Sequence, residues 1–373
     1  MEKITQTWSC RNLSLKGRIT IMKTLVIPQI SNVLSMCYCP LQILEKIDQL
    51  LFDFLWEKKP HKIKRETIIA NFNSGGLRMP DIFSIHTVAK LKWITRLLTD
   101  LENEKWTSLT WYMLNIDKYI INRKIPLSCK NKCKTAFYSQ VLERWHKIKS
   151  RPPKNIEEIQ NEYIFNNMHI NSRARPLEYI EFKIEKKVAI NIQVKNLLDD
   201  EGRFLDFQAA KKRLQWNICI FNYNRILSAI PSLWKKKLKG SSTSMNMYNE
   251  VVIRVRKSLI DITELTNKDI YWEIIDEKVK EPTSLNTWLN LFPFLEGINW
   301  KKIFLAVHHI CPEIYFQSFQ YKIINRVLNC NYNLYKWKIK EQPFCNFCSH
   351  VDTIEHHLYL CAHSKLFWED LHN

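Results

Sequence analysis

Cys345-Asn346-Phe347-Cys348-Ser349-His350-Val351-Asp352-Thr353-Ile354-Glu355-His356-His357-Leu358-Tyr359-Leu360-Cys361 reads as C-x2-C-x7-H-x4-C. Three thiolates and one imidazole make a complete tetrahedral ligand set for Zn2+, and a two-residue gap lets two cysteines of one tight turn grip the same ion. Such a set leaves no position for water, so the expected metal is structural and not catalytic. Cys345, Cys348 and Cys361 are the expected sulfur ligands. The stretch from Thr353 to Trp368 is expected to be helical, and in it His357 and Cys361 lie four apart. Local helix geometry therefore favours His357 as the fourth ligand, with His356 as the other candidate.

Working outward, the chain is 373 residues long, enough for two or three domains with real cores. Apolar residues make up 46% and aromatics 12%, which excludes a disordered tail. With only 6 Gly, the chain is short of the tight turns and bulges of β-rich folds, and a mainly α fold is expected. The 11 Cys form no regular framework, and Met1-Glu2-Lys3 leads straight into a polar periodic segment. A reducing compartment follows as the expectation, cytoplasmic or nuclear. The longest apolar-rich run, Leu25 to Leu44, is interrupted by Pro28, Asn32 and Pro40, so no membrane span and no membrane partner are expected.

A formal net charge of +19 points to a polyanionic partner, RNA or DNA. Between Lys118 and Lys154 there are 11 Lys or Arg and one acid, Glu143. This stretch supplies the candidate nucleic-acid contacts: Arg123, Lys124, Lys130, Lys132, Lys134, Arg144, Lys147, Lys149 and Arg151 for phosphates, with Trp145 and Tyr138 for stacking. Val141, Leu142 and Ile148 stand at helical spacing from Trp145, so a core position for its indole is the competing reading. A second basic stretch, Phe207 to Asn249, has eight Lys or Arg and no acid.

Three segments are expected: a helical one over 1–114, a basic helical middle over 115–290, and a small zinc-stabilised helical module over 291–373. In the first, Ser14 is a capping candidate before a helical stripe ahead of Pro28, and Leu41, Leu44, Ile47, Leu51 and Leu55 mark a second helix. Val188, Ile190, Ile192 and Val194 alternate strictly and suggest one short strand. Leu366, Phe367, Trp368 and Leu371 are expected to cap the last module.

Two groups of motifs carry a family resemblance. Trp8-Ser9-Cys10-Arg11-Asn12-Leu13-Ser14-Leu15-Lys16-Gly17-Arg18, Phe54-Leu55-Trp56 and Gly75-Gly76-Leu77-Arg78-Met79-Pro80-Asp81 resemble the region just after the polymerase palm in reverse transcriptases of LINE-type, non-LTR retrotransposons. Phe319-Gln320-Tyr321-Lys322-Ile323, the Cys345–Cys361 stretch and Phe367-Trp368 resemble the zinc-binding domain that ends such enzymes. The resemblance implies a thumb-like helical domain over 1–114, a C-terminal region that holds template RNA or target DNA, and His356 as the histidine ligand. It also implies a polymerase palm or a retroelement ribonucleoprotein as partner. The family often has Gly where this chain has Ser349.

Polymerase chemistry needs a carboxylate pair that positions Mg2+, usually on an aromatic-x-Asp-Asp turn. The chain's one Asp-Asp pair, Asp199-Asp200, follows Leu197-Leu198 and comes after the thumb-like segment, so it reads as a surface turn. No Gly-rich phosphate loop is present. No catalytic residue is therefore expected, and the chain reads as a nucleic-acid-binding fragment and not an enzyme. The competing function is a zinc-containing protein–protein adaptor. Cys129-x3-Cys133 with His146 is a weaker candidate for a second metal site.

Overall fold

A computed structural model of the chain describes all residues except 100–104, 117–120, 122–123, 125–126, 183, 190, 242–251, 256–257 and 373. The fold is mainly helical. Among the described residues the strands are two small antiparallel ribbons, Asn171–Ser172 with Arg175–Pro176 and Val252–Val255 with Ser258–Asp261. The chain divides into two compact units. One contains 1–33, 39–85 and 271–373; the other contains 34–38 and 86–270. The first and last sequence segments thus share a unit, a grouping that consecutive segments do not express.

In the first unit Ser14 caps the helix Leu15–Ile21, its hydroxyl accepting from the Gly17 amide at 3.1 Å. Pro28 does not end this helix. A π turn over Met22–Val26 leads into a further helix, Ile27–Met36, with the Ile27 amide bonded to the Met22 carbonyl. A proline ring collides with the carbonyl four residues back in an α-helix, and a widened turn just before it relieves that collision. The continuous stretch Leu15–Met36 is 22 residues, long and apolar enough by length and composition to cross a membrane even though Pro28 and Asn32 lie within it. Here Ile19, Met22 and Val26 are buried, and the segment packs on the helix Leu41–Trp56, whose Leu44, Leu51, Phe52 and Leu55 are buried.

The motif residues have structural work within this unit. Arg18, 2% exposed, donates to the Phe54 carbonyl at 3.1 Å and pairs with Glu57, the left-handed residue that ends Leu41–Trp56. A cation is favoured at a helix C-terminus by the exposed carbonyls there. Gly75 has φ +78°, and its carbonyl accepts from the Tyr321 hydroxyl at 3.2 Å. A Cβ on Gly76 would sit 2.1 Å from the Ala70 carbonyl oxygen, so only glycine fits. Asp81 accepts from the Ser84 amide at 3.0 Å at the start of the helix Ile82–Thr99 and pairs with Lys278.

The second unit is built on one large apolar cluster that includes Ile159, Phe165, Phe182, Leu197, Trp216 and Tyr223. The strand expected over 188–194 is corrected: Lys186–Ala189 is helical and Val194–Leu197 is a 3-10 turn, with Ile190 outside the described residues. Ala189, Ile192, Val194, Leu197 and Leu198 are all buried, so this segment turns through the core instead of presenting one face to it. Asp199 stands in a turn, its carboxylate accepting from the amides of Glu201 and Arg203 and from the Arg203 guanidinium. These bonds, led by the Arg203 amide, hold its carboxyl below the ordinary value.

Candidate metal centre

The four residues are delivered by two short devices. The first is a hairpin in which Phe344 bridges Val351 and the Cys345 amide donates to the His350 carbonyl at 2.7 Å. It turns at Ser349, which takes φ +57°. The second is the helix start at Thr353, whose hydroxyl accepts from the His356 amide at 3.2 Å. It runs into a π turn, His356–Leu360, closed by the Cys361 amide on the His356 carbonyl at 3.0 Å. A five-residue step around an α-helix would place His356 and Cys361 on different faces, whereas the wider turn returns the chain to the same face.

Cys345, Cys348, His356 and Cys361 thereby bring their ligand atoms within 4.8 Å of one another, the one group of three or more such residues among those described. Cys345 Sγ and Cys348 Sγ each lie 3.9 Å from Cys361 Sγ, and Cys348 Sγ lies 3.1 Å from His356 Nε2. Tetrahedral zinc sets ligand separations of about 3.8 Å for two sulfurs and about 3.5 Å for sulfur and nitrogen. The cluster could hold a metal ion, and its dimensions and donors suit zinc.

The electrostatics point the same way. The Phe347 amide, 3.5 Å from Cys345 Sγ, leads the causes that pull this thiol down to about 6, followed by His356 and the Cys348 amide. Cys348 is shifted upward. The His350 amide acts to lower it, but burial and the neighbouring Cys345 and Cys361 sulfurs outweigh that bond. Three sulfurs this close resist sharing negative charge until a cation balances them.

The other histidines have other partners. His357 Nδ1 lies 3.3 Å from Asp352 Oδ1, His350 Nδ1 contacts the Cys348 carbonyl at 2.9 Å, and the His363 ring packs on Phe347. The α-helical spacing that favours His357 thus does not apply, because the turn there is not α-helical. Asp352, 3% exposed, was not legible as a site residue. Its carboxylate takes the Asn331 amide at 2.7 Å and its carbonyl takes the Tyr332 amide, fixing the hairpin to the helix Asn331–Lys336. Beneath lies a small cluster of Leu328, Cys330 and Ile354. Leu366, Phe367 and Leu371 are exposed, at 57%, 57% and 64%, and do not form the expected cap.

The candidate nucleic-acid stretch is partly dismantled. Trp145 is 1% exposed, and its indole N–H donates to the Ile121 carbonyl at 2.7 Å, so it is core and cannot stack on a base. Lys124 pairs with Glu162 and donates to the Arg151 carbonyl at 2.6 Å, which removes it from solvent. Lys130 contacts Glu143 at 3.4 Å. Tyr138 is half-buried, its hydroxyl 3.2 Å from Thr110 Oγ1. Lys132, Lys134 and Lys147 are exposed; Arg144, Lys149 and Arg151 are half-buried. Arg123 lies outside the described residues. Burial, the dominant cause, raises the Cys129 and Cys133 thiols, the latter to about 11, and no third ligand joins them among the described residues.

No known protein family's sequence profile matches the chain. A stretch of 107 residues is 31% identical to part of a provisionally named ribonuclease H protein of Arabidopsis thaliana. The match covers 27% of this chain and 17% of that protein's length.

Proposed function

We propose that this chain is a nucleic-acid-binding part of a retroelement reverse transcriptase, stabilised by a structural zinc and acting by binding instead of catalysis. The observation that carries this reading is the Cys345–Cys348–His356–Cys361 cluster, whose closed donor set suits a structural metal. The partial similarity to a protein named for ribonuclease H supports a retroelement context. When bound, zinc would supply a cross-link between the hairpin and the helix start. The chain's own residues do the rest: Asp352 fixes the hairpin to the helix Asn331–Lys336, Thr353 caps the helix start that carries His356, and the Phe347 amide readies Cys345 as a thiolate.

The phosphate footprint proposed in the second unit narrows to Lys132, Lys134, Arg144, Lys147, Lys149 and Arg151. The test is equilibrium binding of single-stranded RNA across a salt series, with zinc content measured on the same sample. One zinc per chain is expected, and log K should fall linearly with log salt, by about 0.7 per phosphate contacted. Exposed Leu366, Phe367 and Leu371 favour the second reading, a protein–protein adaptor. No RNA binding at low salt, or affinity indifferent to salt, would leave the adaptor standing.

A further inference from the structure

Within the first unit a cavity of about 800 Å³ opens between the helix Thr283–Leu291, the loop after Ile314–Ile324 and the metal module. A smaller one, about 380 Å³, continues from it along the basic connector His61–Arg65. Lys62, Thr283, Ser284 and Asn325 line both. The larger space is within the about 300–1,000 Å³ of ordinary ligand sites.

Two kinds of chemistry converge on it. Aromatic rings form the lining: Tyr332 (42% exposed), Tyr359 (66% exposed), Phe292 and Trp337. Cations stand beside them. Lys62 places its Nζ 4.0 Å above the Trp337 ring and 3.2 Å from Asn329 Oδ1, Lys336 is exposed on the larger cavity, and Lys64 on the smaller. None of these three lysines has an ion-pair partner among the described residues. The lining acid of the larger cavity, Glu355, is already paired with Arg326. Burial, and next the nearby charges of Lys322 and Lys59, lower the Lys62 amine; Glu57 acts against them but less strongly, so positive charge is concentrated at this edge. Ser284, 7% exposed, lines both spaces with a buried hydroxyl that has no hydrogen-bond partner among the described residues. A polar group in that position costs stability unless a ligand or water meets it.

We propose that this groove is a binding site for a single nucleic-acid strand, with a base stacked among Tyr332, Tyr359 and Trp337 and the flanking phosphates on Lys62, Lys64 and Lys336. Unpaired cations alone would suit any polyanion, including an acidic peptide. The ring faces select a partner that alternates charge with flat aromatic groups, and a duplex keeps its bases out of their reach. The site rests on the nucleic-acid reading above but lies in the other unit from the basic stretch proposed there.

The experiment uses the full zinc-loaded chain and a fluorescent single-stranded RNA of about 16 nucleotides, read by anisotropy. Tyr332→Ala should weaken binding about 5- to 150-fold. Lys62→Gln with Lys336→Gln should flatten the salt slope by about 1.4. Both lysines and Tyr332 are at least partly exposed, and zinc content with circular dichroism verifies that each variant is folded. An abasic strand should bind as weakly to the parent as RNA does to Tyr332→Ala. If the parent binds RNA and these variants bind equally well, the groove inference fails and the broader reading survives. If the parent binds no RNA, both fail. Equal displacement by polyglutamate and by RNA at matched charge would also overturn the site, because the rings would then contribute nothing.

Discussion

At His356 and His357 two adjacent, chemically identical side chains have different fates. His356 is 7% exposed with Nε2 against Cys348 Sγ, while the His357 side chain is 49% exposed and leans on Asp352. His356→Ala should remove the metal, and His357→Ala should leave one zinc per chain, as measured by elemental analysis of the folded protein. Ser349 pays a local strain at φ +57°, of about 1 kcal/mol for a residue with a Cβ. Ser349→Gly should therefore stabilise the metal module by about 0.5–1 kcal/mol, read as a higher denaturant midpoint for its release of zinc. Trp145→Ala should cost about 3–5 kcal/mol, since it empties a core site and orphans the Ile121 carbonyl. Calorimetry of the free protein should show that loss without any RNA present, which a purely stacking indole would not produce.

Among the elements, the two π turns decide most. One carries the chain past Pro28, and the other converts a five-residue gap into a shared ligand face. Neither is visible in a hydrophobic pattern, because a single widened turn shifts the periodicity by only one residue. Helix starts were more legible: Ser14 caps Leu15–Ile21 as its sequence neighbours imply. The Gly75-Gly76 turn is an element whose tolerance can be measured. Gly76→Ala drives a methyl group into the backbone of Ala70 and should destabilise the first unit by more than about 2 kcal/mol, seen as a lowered thermal midpoint. The alternation over 188–194 was legible as apolar but not as to shape, because burial from every side removes the two-residue rhythm that a half-exposed strand shows.

Across the molecule, the first unit unites residues from both ends of the sequence, and its metal module rests on only Leu328, Cys330 and Ile354 with a few partly buried neighbours. A cluster that small leaves the module dependent on its cross-link. Chelation should unfold residues near 343–361 first and leave the second unit, with its much larger core, protected. Hydrogen exchange followed by proteolytic mapping checks this; simultaneous loss of protection in both units would count against a separately stabilised module.

Composition and ligand spacing alone determined the helical class, the ligand types and the basic character, because each depends on residue chemistry and short-range order. The Cys-x2-Cys turn is of this kind, since two cysteines that close can share an ion wherever the chain goes. Tertiary structure decided between His357, which helical spacing favours, and His356, which the resemblance implies, since a π turn sets His356 against the sulfurs. It also decided that Trp145 is buried and that Lys124 is ion-paired with Glu162, because a core contact or an ion pair depends on residues distant in sequence. The groove of Lys62, Tyr332 and Trp337 is the extreme case: its parts stand some 270 residues apart and meet only when both ends of the chain pack into one unit.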